Sequence, residues 1–338
     1  MIVCCGENLI DMVPMAGLPN TPYGCFKVAP GGCPFNSAIA AARLGAKVSF
    51  LGKVAADFLG DKLFGRLAAN GVGTDLIRRS PRPVTLAFVE RSPNGENNYA
   101  FYAEAAADRS LLPGDLPASL PPDTHFLLAG SISLVLEPSA DTINALIDRE
   151  CGGQGPRALL SYDPNVRPSL IPDKAAFRRN FEALCAKSAV VKASDSDVAW
   201  IYDSPDIDAD IDALVSHLLS LGAPAVFLTR GEKGCVASSQ KARVSCEATK
   251  VRVVDTIGAG DTFHAAIVSA LDAMGLWTKA AIADLGAATL RDLTQFAQAA
   301  SALNCTREGA DPPSLAELKL ASPGLDVLRR LSQPADIR

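Results

Sequence analysis

Three histidines, a net charge of −5 and nine cysteines without a CxxC pair set the first limits on this 338-residue chain. His125, His217 and His264 share no ligand spacing, so no histidine metal centre is expected, and His264 reads as a helix-packing residue. Lysines and arginines are scattered, 32 against 37 acidic residues, which leaves no basic surface for a nucleic-acid backbone. The cysteines are odd in number and lack zinc spacing, a pattern of reduced, mostly buried thiols. The opening Met1-Ile-Val-Cys-Cys-Gly-Glu7 has no basic stretch and soon turns polar. Neither a signal peptide nor a membrane helix is expected there, and the cytoplasm is the default compartment. Internal repeats and low-complexity tracts are also missing, as are a GK[ST] loop and a GxGxxG after the first strand. Walker-type and dinucleotide-type phosphate sites lose their support.

What is present is a balanced composition, 48% hydrophobic and 20% charged, enough for a sizeable core. Short β-branched runs recur at 2–5, 48–51, 126–129, 158–162, 189–192 and 225–229, with helical patterns between them at 35–44, 140–149, 175–186, 211–221 and 261–274. This alternation predicts an α/β fold of right-handed βαβ units, doubly wound, with a mostly parallel sheet and helices on both faces. Two segments break the rhythm. Residues 12–30 are rich in Pro and Gly, and residues 84–103 alternate as a hairpin turning at Pro93-Asn-Gly-Glu96. A hairpin sheet is marginal alone, so the two segments are expected to form a small β lid over a ligand cleft or against another subunit. They interrupt one unit of residues 1–320, and 321–338 read as a tail.

The most informative segment is Asp255-Thr-Ile-Gly-Ala-Gly-Asp261, followed by a helical run. Gly258 and Gly260 permit tight backbone, and a helix start offers free N–H groups and a favourable dipole to an anion such as a phosphoryl group. Asp261 is expected to be ionised and to accept a proton from a substrate hydroxyl. A weak base suffices, because phosphoryl transfer depends mainly on positioning and charge stabilisation. Spacing alone leaves open that Asp255 and Asp261 are turn and N-cap residues and that the glycines only shape a loop.

The heptapeptide resembles the second signature, DTxGAGD, of the ribokinase-like (PfkB) carbohydrate kinases. Upstream, Gly31-Gly32-Cys-Pro-Phe-Asn36-Ser-Ala38 through Leu44-Gly45 resembles the first signature, GGxxxNxAxxxxxLG. Further likeness at Gly6-Glu7-Asn8-Leu-Ile-Asp11, Asp163-Pro-Asn-Val-Arg167 and Thr229-Arg-Gly231-Glu-Lys-Gly234 extends it over roughly residues 1 to 312. Gly130-Ser-Ile-Ser133 and Ala107-Asp108 look most like the fructokinases of that family.

The resemblance implies a sugar site formed by Asp11, Gly31, Gly32 and Asn36; Phe101, which alternates faces with Tyr102 in the lid, is expected to contact the sugar, and Arg167 to reach phosphate or a substrate carboxylate. It implies ATP contacts at Ser194, Thr229, Gly231 and Gly234, and places Gly258, Ala259, Gly260 and Asp261 at the chemistry. Ser194 and Asp197 stand where the family has NxxE, which helps organise Mg²⁺ and phosphate; Asp in place of Glu shortens the reach by one methylene. Asp255, with backbone near Gly309 and Ala310, would border a monovalent cation such as K⁺. As plain sequence, Gly31-Gly32 is a turn before a helix, Asn36 a first-turn residue, Arg167 an ion-pair partner and the 229–234 segment a hairpin turn. The activity expected is ATP-dependent phosphorylation of a ketose, most simply fructose, by a homodimer. A 2-keto-3-deoxygluconate kinase and a catalytically silent sugar or nucleotide sensor are the competing readings, and a nicotinamide oxidoreductase a more distant one.

Overall fold

The apolar runs become strands that no local turn could pair. In the computed structural model, which describes residues 1–15, 25–91, 97–153, 155–325 and 327, they assemble into two sheets. In chain order the strands are β1 (Ile2–Cys5), β2 (Leu9–Pro14), β3 (Phe26–Gly31), β4 (Val48–Ala55), β5 (Ile77–Ser80), β6 (Thr85–Arg91), β7 (Asn97–Tyr102), β8 (Phe126–Gly130), β9 (Leu159–Asp163), β10 (Val190–Ser194), β11 (Ala225–Thr229), β12 (Cys235–Ser239) and β13 (Arg243–Cys246). The helices are α1 (Cys33–Arg43), α2 (Phe58–Ala69), α3 (Ser139–Cys151), α4 (Lys174–Lys187), α5 (Asp195–Tyr202), α6 (Ile207–Ser220), α7 (Ala259–Ala273), α8 (Lys279–Ala283), α9 (Ala287–Cys305) and α10 (Leu315–Ala321).

The large sheet has the order β13-β12-β11-β10-β9-β8-β1-β4-β5 and is parallel from β11 to β5, with the β12–β13 hairpin antiparallel at one edge. Side chains alternate along a strand, and both faces of β1 are covered. Ile2 and Cys4 pack with Phe35, Phe263 and Phe296 of α1, α7 and α9, while Val3 and Cys5 pack with Leu146, Phe181 and Leu218 of α3, α4 and α6. The unbroken apolar run at the N-terminus is therefore a consequence of two-sided burial.

The small sheet has the order β3-β2-β6-β7. Its β6–β7 hairpin matches the alternation of residues 84–103, although the turn expected at 93–96 lies outside the described residues. The other half corrects the sequence reading. Residues 9–14 form a strand that pairs in parallel with β6, Leu9 opposite Thr85, and antiparallel with β3. The segment expected at 12–30 thus contributes two strands, the first beginning at Leu9, with 16–24 outside the described residues. Of the expected tail at 321–338, most also lies outside them. Register puts Leu9, Asp11, Val13, Ala87, Tyr99 and Phe101 on one face, which closes over the carboxyl ends of the large sheet. No helix among the described residues is long and apolar enough to cross a membrane.

Candidate active site

The start of α7 lies under the small sheet. Gly258, its N-cap, has a left-handed φ of 76°, and a Cβ there would lie 2.6 Å from the Ala310 Cβ, so only glycine fits. Asp255 pins the preceding loop: Oδ1 accepts the Ile257 N–H and Oδ2 the Gly309 N–H, each at 3.1 Å. Asn304 of α9 donates to the Ile257 carbonyl at 2.8 Å. The Ala259 N–H turns back on the Thr256 carbonyl at 3.2 Å, so the amides aimed outward are those of the next residues, Gly260 and Asp261, the orphan donors of a helix start. The N–H groups left without a partner among the described residues thus begin one residue after Ala259, on which the sequence reading centred its anion cradle.

Asp261 is the third residue of α7 and faces α1. Its Oδ2 accepts the Asn36 side-chain N–H at 2.8 Å, and its backbone carbonyl accepts the Ser37 hydroxyl at 3.3 Å. Burial raises its pKa above the ordinary carboxylate value, and hydrogen bonds from Asn36 and Cys33 oppose that rise. A freely ionised, weakly basic carboxylate was the sequence expectation; the buried group is more basic, because water cannot solvate its charge.

The N-terminus of α1 is held by a carboxylate from elsewhere. Its N-cap, Gly32, has φ 113° and no side chain to offer. Glu7 substitutes, its Oε1 accepting the Cys33 N–H at 3.1 Å while its Oε2 accepts the Ser133 hydroxyl. Burial pushes the Glu7 carboxyl up to about 7. A Cβ at Gly32 would meet the Glu7 carbonyl at 2.8 Å, so this glycine permits the close approach that joins α1 to the end of β1.

Asp11 projects from β2 into the cleft and is pushed up to about 7, first by burial and then by the charge of Asp261, with Arg167 opposing. Gly31 stands behind it, since a Cβ there would come within 2.1 Å of an Asp11 carboxylate oxygen. Tyr99 and Phe101 stack at 5.8 Å on the same face of the small sheet. Arg167 lies 5.1 Å from the Tyr99 ring centre and donates to the carbonyls of Asn165 and Val166.

The opposite end of the cleft is formed where β10 and β11 stop. Ser194 and Asp197 make a reciprocal capping box on α5. Asp197 Oδ2 accepts the Ser194 N–H at 2.8 Å and Oδ1 accepts the Val166 N–H at 2.7 Å. Each of its oxygens thus accepts a backbone N–H, so the Asp that stands in place of Glu also holds the helix cap and the loop after β9. Thr229 ends β11, and Gly231 and Gly234 form the turn into β12, with positive φ of 52° and 91°. A Cβ at Gly234 would lie 2.0 Å from the Cys246 carbonyl.

One cleft of about 1550 Å³ connects these groups. Pockets for one small molecule run to roughly 300–1,000 Å³, so two ligands can meet in it. It gathers every expected site residue except Gly31 and Asp255, which support its wall from behind. Among the residues that sequence reasoning gave no role, Glu7, Cys33 and Lys192 also line it. Lys192 is buried and paired with Asp163 at 2.8 Å. Its signal was a lone lysine in the apolar run Val190-Val191-Lys192-Ala193, whereas nothing local marks Glu7 or Cys33.

Comparison with known proteins agrees with this arrangement. A family model described as pfkB family carbohydrate kinase matches residues 1–317. The chain is 40% identical over 294 residues to a fructokinase of Rhizobium leguminosarum bv. trifolii, covering 86% of each. It is 35% identical to the probable fructokinase-4 of Arabidopsis thaliana over 95% of this chain and 96% of that one. The crystal structure of a Xylella fastidiosa fructokinase with bound ATP superposes with a TM-score of 0.82 at 29% identity, covering 98% and 99% of the two chains. A Vibrio cholerae fructokinase in fructose-, ADP- and calcium-bound form, 24% identical, shares the fold with a TM-score of 0.78 over 94% of this chain and 97% of that one.

Proposed function

Because the chain belongs to the pfkB family of carbohydrate kinases, we propose that it transfers the γ-phosphoryl group of ATP to a hydroxyl of fructose, giving fructose 6-phosphate. The observation that carries this reading is the pairing of Asp261 with the outward amides of one helix start, at the junction of two halves of a single cleft. Sugar fills the half under the small sheet, beside Asp11, Gly32, Asn36 and Phe101. ATP fills the half beside Ser194, Thr229, Gly231 and Gly234.

Asp261 takes the proton of the attacking hydroxyl as the new O–P bond forms, and the electron pair of the breaking bond leaves with ADP. The Gly260 and Asp261 amides, with the dipole of α7, hold negative charge that spreads over the phosphoryl oxygens. Tyr99 and Phe101 cover the sugar, so water is kept from competing as acceptor.

ATP enters as its Mg²⁺ complex in this reading. Ser194 and Asp197 would stand beside that ion, directly or through water, and it would neutralise phosphate charge while keeping several waters, as Mg²⁺ commonly does. A K⁺ ion beside the Asp255–Gly309 loop would stiffen the cradle. We further assign residues 1–320 to one kinase unit with the small sheet as its lid, acting as a homodimer in the cytoplasm.

The keto-acid alternative needs a free positive partner for a carboxylate. Among the described residues Arg167 stacks on Tyr99 and donates through Nη1 alone, so its other N–H groups stay available to a carboxylate and the choice rests on the substrates. A coupled assay of ADP release with fructose, 2-keto-3-deoxygluconate and a panel of aldoses decides between them. Asp261→Asn is expected to lower kcat by at least about 100-fold with fructose affinity nearly unchanged, the usual size of a general-base effect. Near-normal turnover by that variant would remove the assigned base.

A further inference from the structure

We propose that Lys192 is a catalytic residue, its ammonium group contacting the phosphoryl group in transit between nucleotide and sugar. The proposal deepens the kinase reading and rests on it.

Lys192 sits in the middle of β10, where an apolar side chain would suit the strand, and its ammonium reaches the start of α7. A Cβ built on Gly260 would lie 2.9 Å from Nζ. The cation therefore adjoins the turn whose amides form the cradle, and it lines the cleft. Gly260 is explained by the same distance, because any side chain there would displace the ammonium.

The bonding of the ammonium is incomplete. Among the described residues its one hydrogen bond is to Asp163 Oδ2, at 2.8 Å, while an ammonium has three donors. Burial alone would depress its pKa, but the carboxylates of Asp163 and Asp197 outweigh burial and raise it, so the group remains a cation. Asp163 is 1% exposed and Lys192 5% exposed, which makes this a desolvated pair. Such a pair is weak evidence for stability, since apolar replacements of similar volume are often neutral or better. In a water-poor site a fixed cation acts strongly on developing charge.

The surrounding charge creates the need for it. Asp11 and Asp261 line this region, and each, when ionised, repels an entering triphosphate. Arg167 is held at the lid end by Tyr99. Lys192 supplies positive charge where the bond is made and broken. It transfers no proton: the hydroxyl proton goes to Asp261, the electron pair of the broken P–O bond stays on ADP, and the ammonium is unchanged.

The test is Lys192→Met, an uncharged chain of similar length, with wild type assayed first for fructose phosphorylation. Affinity is measured by calorimetry with fructose and Mg²⁺ present, for ADP and for ADP with aluminium fluoride, which mimics the phosphoryl group in flight. The proposal expects kcat to fall about 100-fold or more. It expects ADP affinity and the fructose KM to stay within about 3-fold, and the added affinity for aluminium fluoride to drop at least ~30-fold. A variant that keeps the wild-type ratio of the two affinities overturns it, because a purely structural lysine would weaken both alike.

Lys192→Met strands a buried Asp163 carboxylate and is liable to unfold. The double variant Lys192→Met/Asp163→Asn has no stranded charge, and the same ratio is measured in it. Loss of the ratio in a folded double variant supports the contact, and its retention refutes it. If wild type phosphorylates no sugar, the kinase reading fails and takes this inference with it; if wild type is active and the ratio survives, only the role of Lys192 fails.

Discussion

Asp261 and Asn36 show how one hydrogen bond can be read in two ways. As a sequence motif, Asn36 belongs against the sugar. In the structure its amide donates to the carboxylate of Asp261 at 2.8 Å, a bond that favours the ionised form. Because burial raises the Asp261 pKa, activity should be lost, as pH falls, at a pH above the ordinary range of a free aspartate near 3.8. Removing the Asn36 amide raises it further, so Asn36→Ala should move the acid limb of kcat/KM to higher pH. Hydrogen bonds to charged groups contribute about 1.5–3 kcal/mol, so the acid limb should move up by roughly 1 to 2 pH units while kcat on the plateau changes far less. If Asn36 served only to bind sugar, KM would rise and the acid limb would stay in place, an outcome that a pH profile of both parameters separates clearly.

At the scale of elements, the loop before α7 joins sequence to chemistry most directly. Gly258→Ala adds a left-handed residue, at about 1–2 kcal/mol, and a contact of 2.6 Å with Ala310, so the first turn of α7 must shift. Thermal stability should drop, and ATP affinity should fall by about 10-fold or more while fructose affinity changes less, since the misplaced amides face the nucleotide. Equal weakening of both ligands would place the anion site elsewhere. This loop was legible in the sequence because glycine spacing and the helix that follows are local signals. The parallel strands were legible as well, since burial on both faces makes each an unbroken apolar run. β2 was not, because Asp11 and Pro14 interrupt its pattern and its parallel partner β6 is remote in the chain. The cap that Glu7 places on α1 and the thiol of Cys33 beside Asp261 were equally hidden, for each depends on segments that meet only after folding.

At the scale of the whole molecule, one face of the small sheet has no partner among the described residues. While Asp11, Tyr99 and Phe101 face the cleft, the opposite face of the small sheet carries Phe26, Val28, Phe88 and Tyr102. Their rings form an edge-on series, Phe26 to Phe88 at 5.2 Å and Phe88 to Tyr102 at 5.5 Å. Tyr102 is 65% exposed and Val28 43%, which leaves an apolar patch open across this face from one edge strand to the other. Both sheet edges, β3 and β7, are also unpaired among the described residues. A second copy presenting the same face would bury these rings, cover the edges and steady each lid over its own cleft. Sedimentation at micromolar concentration should give about twice the 35.3 kDa chain mass. Tyr102→Glu combined with Val28→Lys should return the monomer mass, because burying either charge without a partner costs several kcal/mol. The proposed base and cradle belong to one chain, so the monomeric variant should keep measurable turnover, with a higher KM for fructose as the lid loosens. A wild type that sediments as a monomer would leave the lid to close alone, and these exposed rings would then need another explanation.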